Sequence, residues 1–188
     1  MRRLLGLLAA AALLPPAAAQ AAESARMAEF RSLCVQTRAD VDKVEALADK
    51  GGWKAGPPGS DAKGDGITKA ITRQIDDSGG LRMLIAGRGD APGGLKGDFC
   101  ALIVHNAGAG FLKEVVDLAG VPPSNLVDDH SVQAFAYTEE GGVKKSQAHL
   151  SAEALAGLAA RQPVYVFMLG ESDSQAMAVF AVLGPKPA

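Results

Sequence analysis

The sequence predicts an α+β fold: an antiparallel sheet of about five or six strands, helices packed on one face, and one disulfide. Three observations carry this. Short apolar segments come in pairs joined by Gly-, Asp- and Glu-rich turns, the pattern of hairpins rather than of parallel βαβ units. Helical periodicity occupies separate segments between those pairs. The chain holds two cysteines, Cys34 and Cys100, behind an amino-terminal segment that reads as an export signal.

That segment opens with Arg2 and Arg3, followed by an 11-residue run of Leu, Ala and Gly from Leu4 to Leu14. Pro15 and Pro16 end the run, and small residues follow through Ala21. Basic, then apolar, then small is the order of a secretory signal peptide. The run is too short to cross a bilayer core of about 30 Å, which takes roughly 20 helical residues. Cleavage is expected after Ala21, giving a leader over 1–21 and a single domain over 22–188. No cysteine follows the run directly, so no lipid anchor is expected. Leucine follows the arginine pair and no polar residue precedes it, which favours general secretion over the twin-arginine route. The expected location is the periplasm or the medium.

Removing Arg2 and Arg3 leaves 17 basic against 21 acidic residues, a net charge of −4 where the full chain has −2. The mature chain has one adjacent basic pair, Lys144-Lys145, and no basic stripe, which argues against nucleic acid as a partner. No later apolar run reaches membrane length, so no span is expected after leader removal. Aromatics are 5% of residues, so the core should be built of small aliphatic side chains around Trp53 and six Phe.

Two cysteines in an exported chain read as one disulfide, Cys34 to Cys100, closing a loop of 67 residues. The alternative is a reactive thiol, Cys100 beside His105. An oxidising compartment and the lack of a C-x-x-C motif argue against it.

The elements follow in order. Met27, Phe30, Leu33 and Cys34 share one helical face. Thr37 is placed to cap a second helix, with Asp40 as its capping-box acid, Val41, Val44, Leu47 and Ala48 inward, and Gly51-Gly52 as its stop. Trp53 should fold back onto these helices as core. Residues 54–66 read as a loop. Residues 67–77 are ambiguous, since Ile67, Ala70, Ile71 and Ile75 fit a helix while Ile71, Arg73 and Ile75 alternate as in a strand. Residues 81–86 read as a strand, 87–97 as a loop and 98–106 as a strand, the two strands antiparallel. With Cys100 turned toward the helices, Leu102 and Val104 share its face. A helix over 109–119 ends at Gly120. Residues 132–138 and 143–147 form a second hairpin. Ser151 caps a helix running to about 161, with Leu150 and Leu155 as a hydrophobic staple. Residues 164–169 and 176–183 form the last hairpin.

The motifs with a chemical reading are each incomplete or explained by chance. Asp61 to Gly66 lacks the acid at the third place of a calcium loop, where Lys63 stands, and Thr72 occupies the place of the bidentate Glu. Arg88-Gly89-Asp90 is a tripeptide that arises readily by chance in a Gly-rich loop. Gly108 and Gly110 lie between strand and helix but lack the remainder of a phosphate loop. Gly170 and Ser172 lack the closing glycine of a nucleophile elbow. Asp128, Asp129 and His130, with His105 or His149, show no paired-histidine spacing for zinc. No catalytic residue, cofactor or metal ligand is therefore assigned.

Three short segments, FRSLCVQT around Cys34, KGGW around Trp53 and GDFCALIV around Cys100, follow the leader in this order. This layout resembles uncharacterised exported proteins and lipoproteins of proteobacteria with one cysteine in an amino-terminal helix and another in a later strand. The resemblance implies a disulfide in a bacterial envelope protein and no particular activity. The function expected is non-enzymatic binding of an envelope protein or a small ligand, with the loops at 54–66 and 87–97 as the elements exposed for it. The alternative is a small envelope hydrolase using His105, His130 or His149 with Ser172 or a nearby acid.

Overall fold

Eight strands form one antiparallel sheet in the order β1-β2-β3-β4-β8-β7-β5-β6. The computed structural model describes residues 23–57, 66–91, 95–106, 109–127, 131–172 and 174–185. The expected leader, the suggested calcium loop at 61–65, Gly108 and Asp128-Asp129-His130 lie outside them. The strands are β1 (Lys54–Ala55), β2 (Ile67–Asp77), β3 (Gly80–Ala91), β4 (Leu95–His105), β5 (Val132–Glu140), β6 (Val143–Ser146), β7 (Val164–Ser172) and β8 (Gln175–Leu183). The helices are α1 (Ala25–Phe30), continued by a π-helical turn at Arg31–Val35, then α2 (Val41–Lys50), α3 (Ala109–Ala119) and α4 (Ala152–Ala159).

The sheet is larger than the five or six strands expected, and the molecule is mostly sheet. The ambiguity at 67–77 resolves to strand β2, and β1 adds a short edge beside it. β2 hid its pattern because its inward positions are Lys69, Ile71, Arg73 and Ile75, so charge interrupts the apolar alternation. The loop expected at 87–97 is mostly strand, with β3 running on to Ala91 and β4 starting at Leu95. Gly87, Gly89 and Gly97 sit where backbone or side chain comes close: a Cβ on Gly87 would lie 2.7 Å from the Phe99 ring.

Helices occupy both faces of the sheet, not one. The inner face packs α1, the π-helical turn, α2 and α3 around Phe30, Leu84, Cys100, Leu102, Val104 and Phe167, all buried. An aromatic stack runs along it: Tyr137 on Tyr165 at 5.1 Å, Tyr165 on Phe180 at 6.1 Å and Phe180 against Phe167 at 4.9 Å. On the outer face α4 sets Leu155 and Ala159 against Ala136, Val164, Val166 and Ala181, with Leu150 alongside. The staple of Leu150 and Leu155 thus belongs to a second, smaller core. β7 and β8 are apolar on both sides, with α4 covering Val164, Val166 and Ala181 on the outer face, so they show no alternation from which to read a side.

Cys34 and Cys100 are bonded, with Cα atoms 5.2 Å apart, and this staple joins the π-helical turn to β4. Trp53 is 7% exposed and lies in the inner core beside α2. Thr37 is not a helix cap: its hydroxyl donates back to the Leu33 and Cys34 carbonyls. Asp40 caps α2 instead, Oδ1 accepting from the Asp42 and Lys43 amides.

Charge pins the helices onto the inner face. α2 carries Asp42, Glu45 and Asp49 on one side, above Lys69 and Arg73 of β2. Lys69 Nζ reaches Asp42 at 2.9 Å and Glu45 at 2.7 Å, and Arg73 reaches Glu45 at 2.8 Å and Asp49 at 3.0 Å. The Lys69 ammonium holds the Asp42 carboxyl below its usual range by hydrogen bonding and by charge. Lys144 of β6 donates to the Leu118 and Ala119 carbonyls at the end of α3, where a cation complements the helix terminus.

Candidate functional site

The cleft best suited to a ligand lies where the strand ends of β2, β3, β4 and β8 meet the link between the π-helical turn and α2. It encloses about 680 Å³, within the range of roughly 300–1,000 Å³ of small-molecule sites. Arg38, Asp40 and Lys43 form one wall, Arg88 and Asp90 the end of β3, Lys96 and Asp98 the start of β4. Val182, Ala159, Ala160 and Pro185 supply an apolar wall opposite.

The first wall is set by an unusual turn. The Gln36 amide donates to the Arg31 carbonyl at 2.9 Å and the Ala39 amide to the Cys34 carbonyl at 2.8 Å, both spanning five residues. To leave that turn and enter α2, Arg38 and Ala39 take left-handed conformations, with φ of +55° and +57°. Such a conformation costs an L-residue about 1–2 kcal/mol, and strain of this kind clusters at binding and catalytic sites. Ala39 is fully buried, whereas Arg38 is exposed toward the cleft. Arg38 Nη1 donates to the Tyr165 hydroxyl at 3.2 Å, with the guanidinium 5.9 Å from the ring centroid. The aromatic stack of the inner face therefore meets this arginine at Tyr165.

The cleft's charges fall into two groups. Arg88 is held by Asp98, Nε to Oδ1 at 2.7 Å, and also meets Asp42 at 3.4 Å and Asp40 at 3.6 Å. Hydrogen bonding to Asp98 raises the Arg88 pKa further above its ordinary value. Arg88-Gly89-Asp90 is thus strand, its arginine engaged inside the fold. By contrast, the Lys43 and Lys96 ammonium groups have no ion pair among the described residues.

The floor requires glycine at one place. Gly184 has φ +97°, and a Cβ there would lie 2.0 Å from the Ala159 carbonyl oxygen, while its amide donates to Lys96 O at 2.9 Å. Gly184→Ala should lower stability by about 2 kcal/mol in urea unfolding, through strain and loss of the α4 contact.

Of the residues suggested for hydrolysis, His105, His149 and Ser172 do not converge on this cleft, and His130 lies outside the described residues. His105 ends β4 and Ser172 ends β7, at the opposite end of the sheet. Gln175 of β8 pairs with both, so it stands between them, its Nε2 3.3 Å from His105 Nε2. Strands spaced about 4.8 Å apart put the serine and the histidine two strands apart, beyond the roughly 3 Å of a nucleophile–base hydrogen bond. His149 lies in the turn before α4. Among the described residues no group of three or more His, Cys, Asp or Glu is placed to hold a metal ion. No helix among them is long and apolar enough to cross a membrane.

Sequence reading pointed to the loops at 54–66 and 87–97; residues 58–65 of the first lie outside the described residues, and the cleft uses Arg88 to Asp90 and Lys96 to Asp98 of the second. It missed Arg38, Lys43 and the apolar wall at the end of α4. A signal for the link was present: Thr37-Arg38-Ala39-Asp40 holds no glycine, yet the chain must reverse between two helical stretches, so non-glycine residues must enter the left-handed region. No protein family, curated protein or solved structure matches this chain.

Proposed function

We propose that this protein is an exported, non-enzymatic binding protein whose cleft takes a small organic carboxylate. The observation that carries the reading is the set of cations Arg38, Lys43 and Lys96, which face an apolar-walled cleft without carboxylate partners among the described residues. Arg38 presents a planar fork suited to a carboxylate, and the wall of Val182, Ala159 and Pro185 suits an apolar body. The disulfide is consistent with an oxidising compartment, and the leader and the resemblance to exported proteobacterial proteins support an envelope location. The separation of His105 from Ser172 counts against the hydrolase alternative.

The test is thermal unfolding and calorimetric titration of the mature protein with acetate, succinate and citrate at low salt. At a concentration of 100 Kd a bound carboxylate adds about 2.7 kcal/mol to stability. Arg38→Gly should weaken binding at least tenfold. Its stability should change by less than about 1 kcal/mol, because relief of left-handed strain offsets the entropy that glycine adds to the unfolded chain. No stabilisation by any of the three acids, or equal binding by Arg38→Gly, overturns the reading.

A further inference from the structure

The β3–β4 ladder ends, at the cleft, in two rungs that each set an acid opposite a base. Arg88 faces Asp98, and two residues further along the same face Asp90 faces Lys96. The first rung is closed, with Arg88 Nε 2.7 Å from Asp98 Oδ1. The second is open: among the described residues neither the Asp90 nor the Lys96 side chain has an ion pair or a hydrogen bond. Opposite charges on facing strands ordinarily attract. Fraying does not account for the gap. The Asp90 amide donates to the Gly66 carbonyl at 2.8 Å and the Lys96 carbonyl accepts from Gly184 at 2.9 Å, so each backbone is held from outside the pair. The cleft thus offers one unpaired carboxylate together with Arg38, Lys43 and Lys96, which meet no carboxylate.

We infer that the cleft takes a short acidic peptide of about two or three residues, its amino terminus on Asp90 and its carboxyl terminus on Arg38. The inference rests on the carboxylate reading above and deepens it. A simple organic acid leaves Asp90 facing a charge of its own sign, whereas a ligand with an ammonium group satisfies it. Arg38 spends one donor on the Tyr165 hydroxyl and keeps the rest of its fork for a carboxylate.

The sheet sets the length. Asp90 stands on β3, and Arg38 reaches Tyr165 of β7, with β4 and β8 between them. Three strand spacings of about 4.8 Å put the two charges roughly 14 Å apart. A hydrogen bond of about 2.9 Å at each end leaves roughly 8 Å, the span of two or three extended residues at about 3.4 Å each. A single amino acid carries both charges on one carbon and cannot touch both ends. With the termini placed, Lys43 and Lys96 remain for an acidic side chain, and Val182, Ala159 and Pro185 for apolar ones.

The experiment is calorimetric titration of the mature, oxidised protein with Ala-Glu-Ala, its N-acetyl derivative, free glutamate and succinate at low salt. The free peptide should bind at least about tenfold more tightly than the acetylated peptide or glutamate. In Asp90→Asn the two peptides should bind within about twofold of each other. That ratio is read within one protein, so a change in folding does not mimic it. Equal binding of the two peptides by the wild type overturns the inference, as does a preference that persists in Asp90→Asn, or glutamate that binds as tightly as the peptide. If succinate binds alongside any of these results, the carboxylate reading stands and the peptide fails. If none of the four binds, both fail.

Discussion

Replacing Cys34 and Cys100 together by alanine should lower stability by about 4 kcal/mol, the chain-entropy value for a closed loop of this size. The bridge spans 66 positions and both residues are fully buried. Little of the loss should come from packing, because each alanine removes one sulfur from a well-filled site. Most should come from the unfolded state, which is free to expand once the loop opens. Two readouts in urea separate these sources. Midpoint and extrapolated stability should fall, and the m-value should rise because a more expanded chain exposes more surface. On heating, the loss corresponds to a drop of roughly 8–16 °C for a domain of this size. An unchanged m-value with a loss below about 1 kcal/mol would show that loop closure is not what the bridge contributes. The same variant should bind carboxylates more weakly. Cys34 lies four residues before Arg38, its carbonyl accepts the Ala39 amide, and Cys100 lies two residues after Asp98 on the same face of β4. Freed from β4, the strained link loses the anchor that holds it left-handed.

What could be read from the sequence was what depends on neighbours along the chain. The stops at Gly51 and Gly120, the cap at Ser151 and the shared face of Cys100, Leu102 and Val104 are local matters of conformation and period. What stayed hidden depends on partners distant in sequence. Arg73 breaks the apolar alternation of β2, and it is tolerated inward only because Glu45 and Asp49 stand above it. Gly87 and Gly89 look like loop until Phe99 and the backbone at Gly66 are found where their side chains would be. The expectation of helices on one face fails at α4, because β7 and β8 are apolar on both sides. The cleft was half legible: the turn-rich segment between β3 and β4 marked one rim, while the rim at Arg38 arises from a backbone reversal whose trace in the sequence is only the lack of a glycine between two helical stretches.

Arg82→Met should lower stability by about 2 kcal/mol at pH 7, and by clearly less at pH 5. Arg82 points inward from β3 with its side chain 6% exposed. It grips Asp77 through two hydrogen bonds of 2.9 Å and meets Glu29 of α1 at 2.8 Å. Methionine keeps the aliphatic volume, so the substitution removes the charge and its hydrogen bonds with little loss of packing. Breaking a fully buried pair costs about 3–5 kcal/mol. Here the figure is smaller because Asp77 is 43% exposed and can return to water. Glu29 cannot do so as readily. Burial already raises its carboxyl above the usual range, and Arg82 is the chief opposing influence. Without Arg82 that pKa rises further, so the folded state holds a proton that the unfolded state releases. Stability then increases as pH falls through the window between the ordinary Glu value and the raised one. Asp77 behaves oppositely: Arg82 holds its carboxyl below the usual range, and that contribution is lost only as pH falls below the ordinary Asp value. At pH 5 it is intact in the wild type, so narrowing of the gap between pH 7 and pH 5 reports Glu29 alone. Adding Glu29→Gln to Arg82→Met should recover about half of the loss at pH 7 and little at pH 5, because it removes the stranded carboxylate. A gap that stays constant between the two pH values would mean that Arg82 acts through packing, and that α1 is held to the sheet by its apolar face alone.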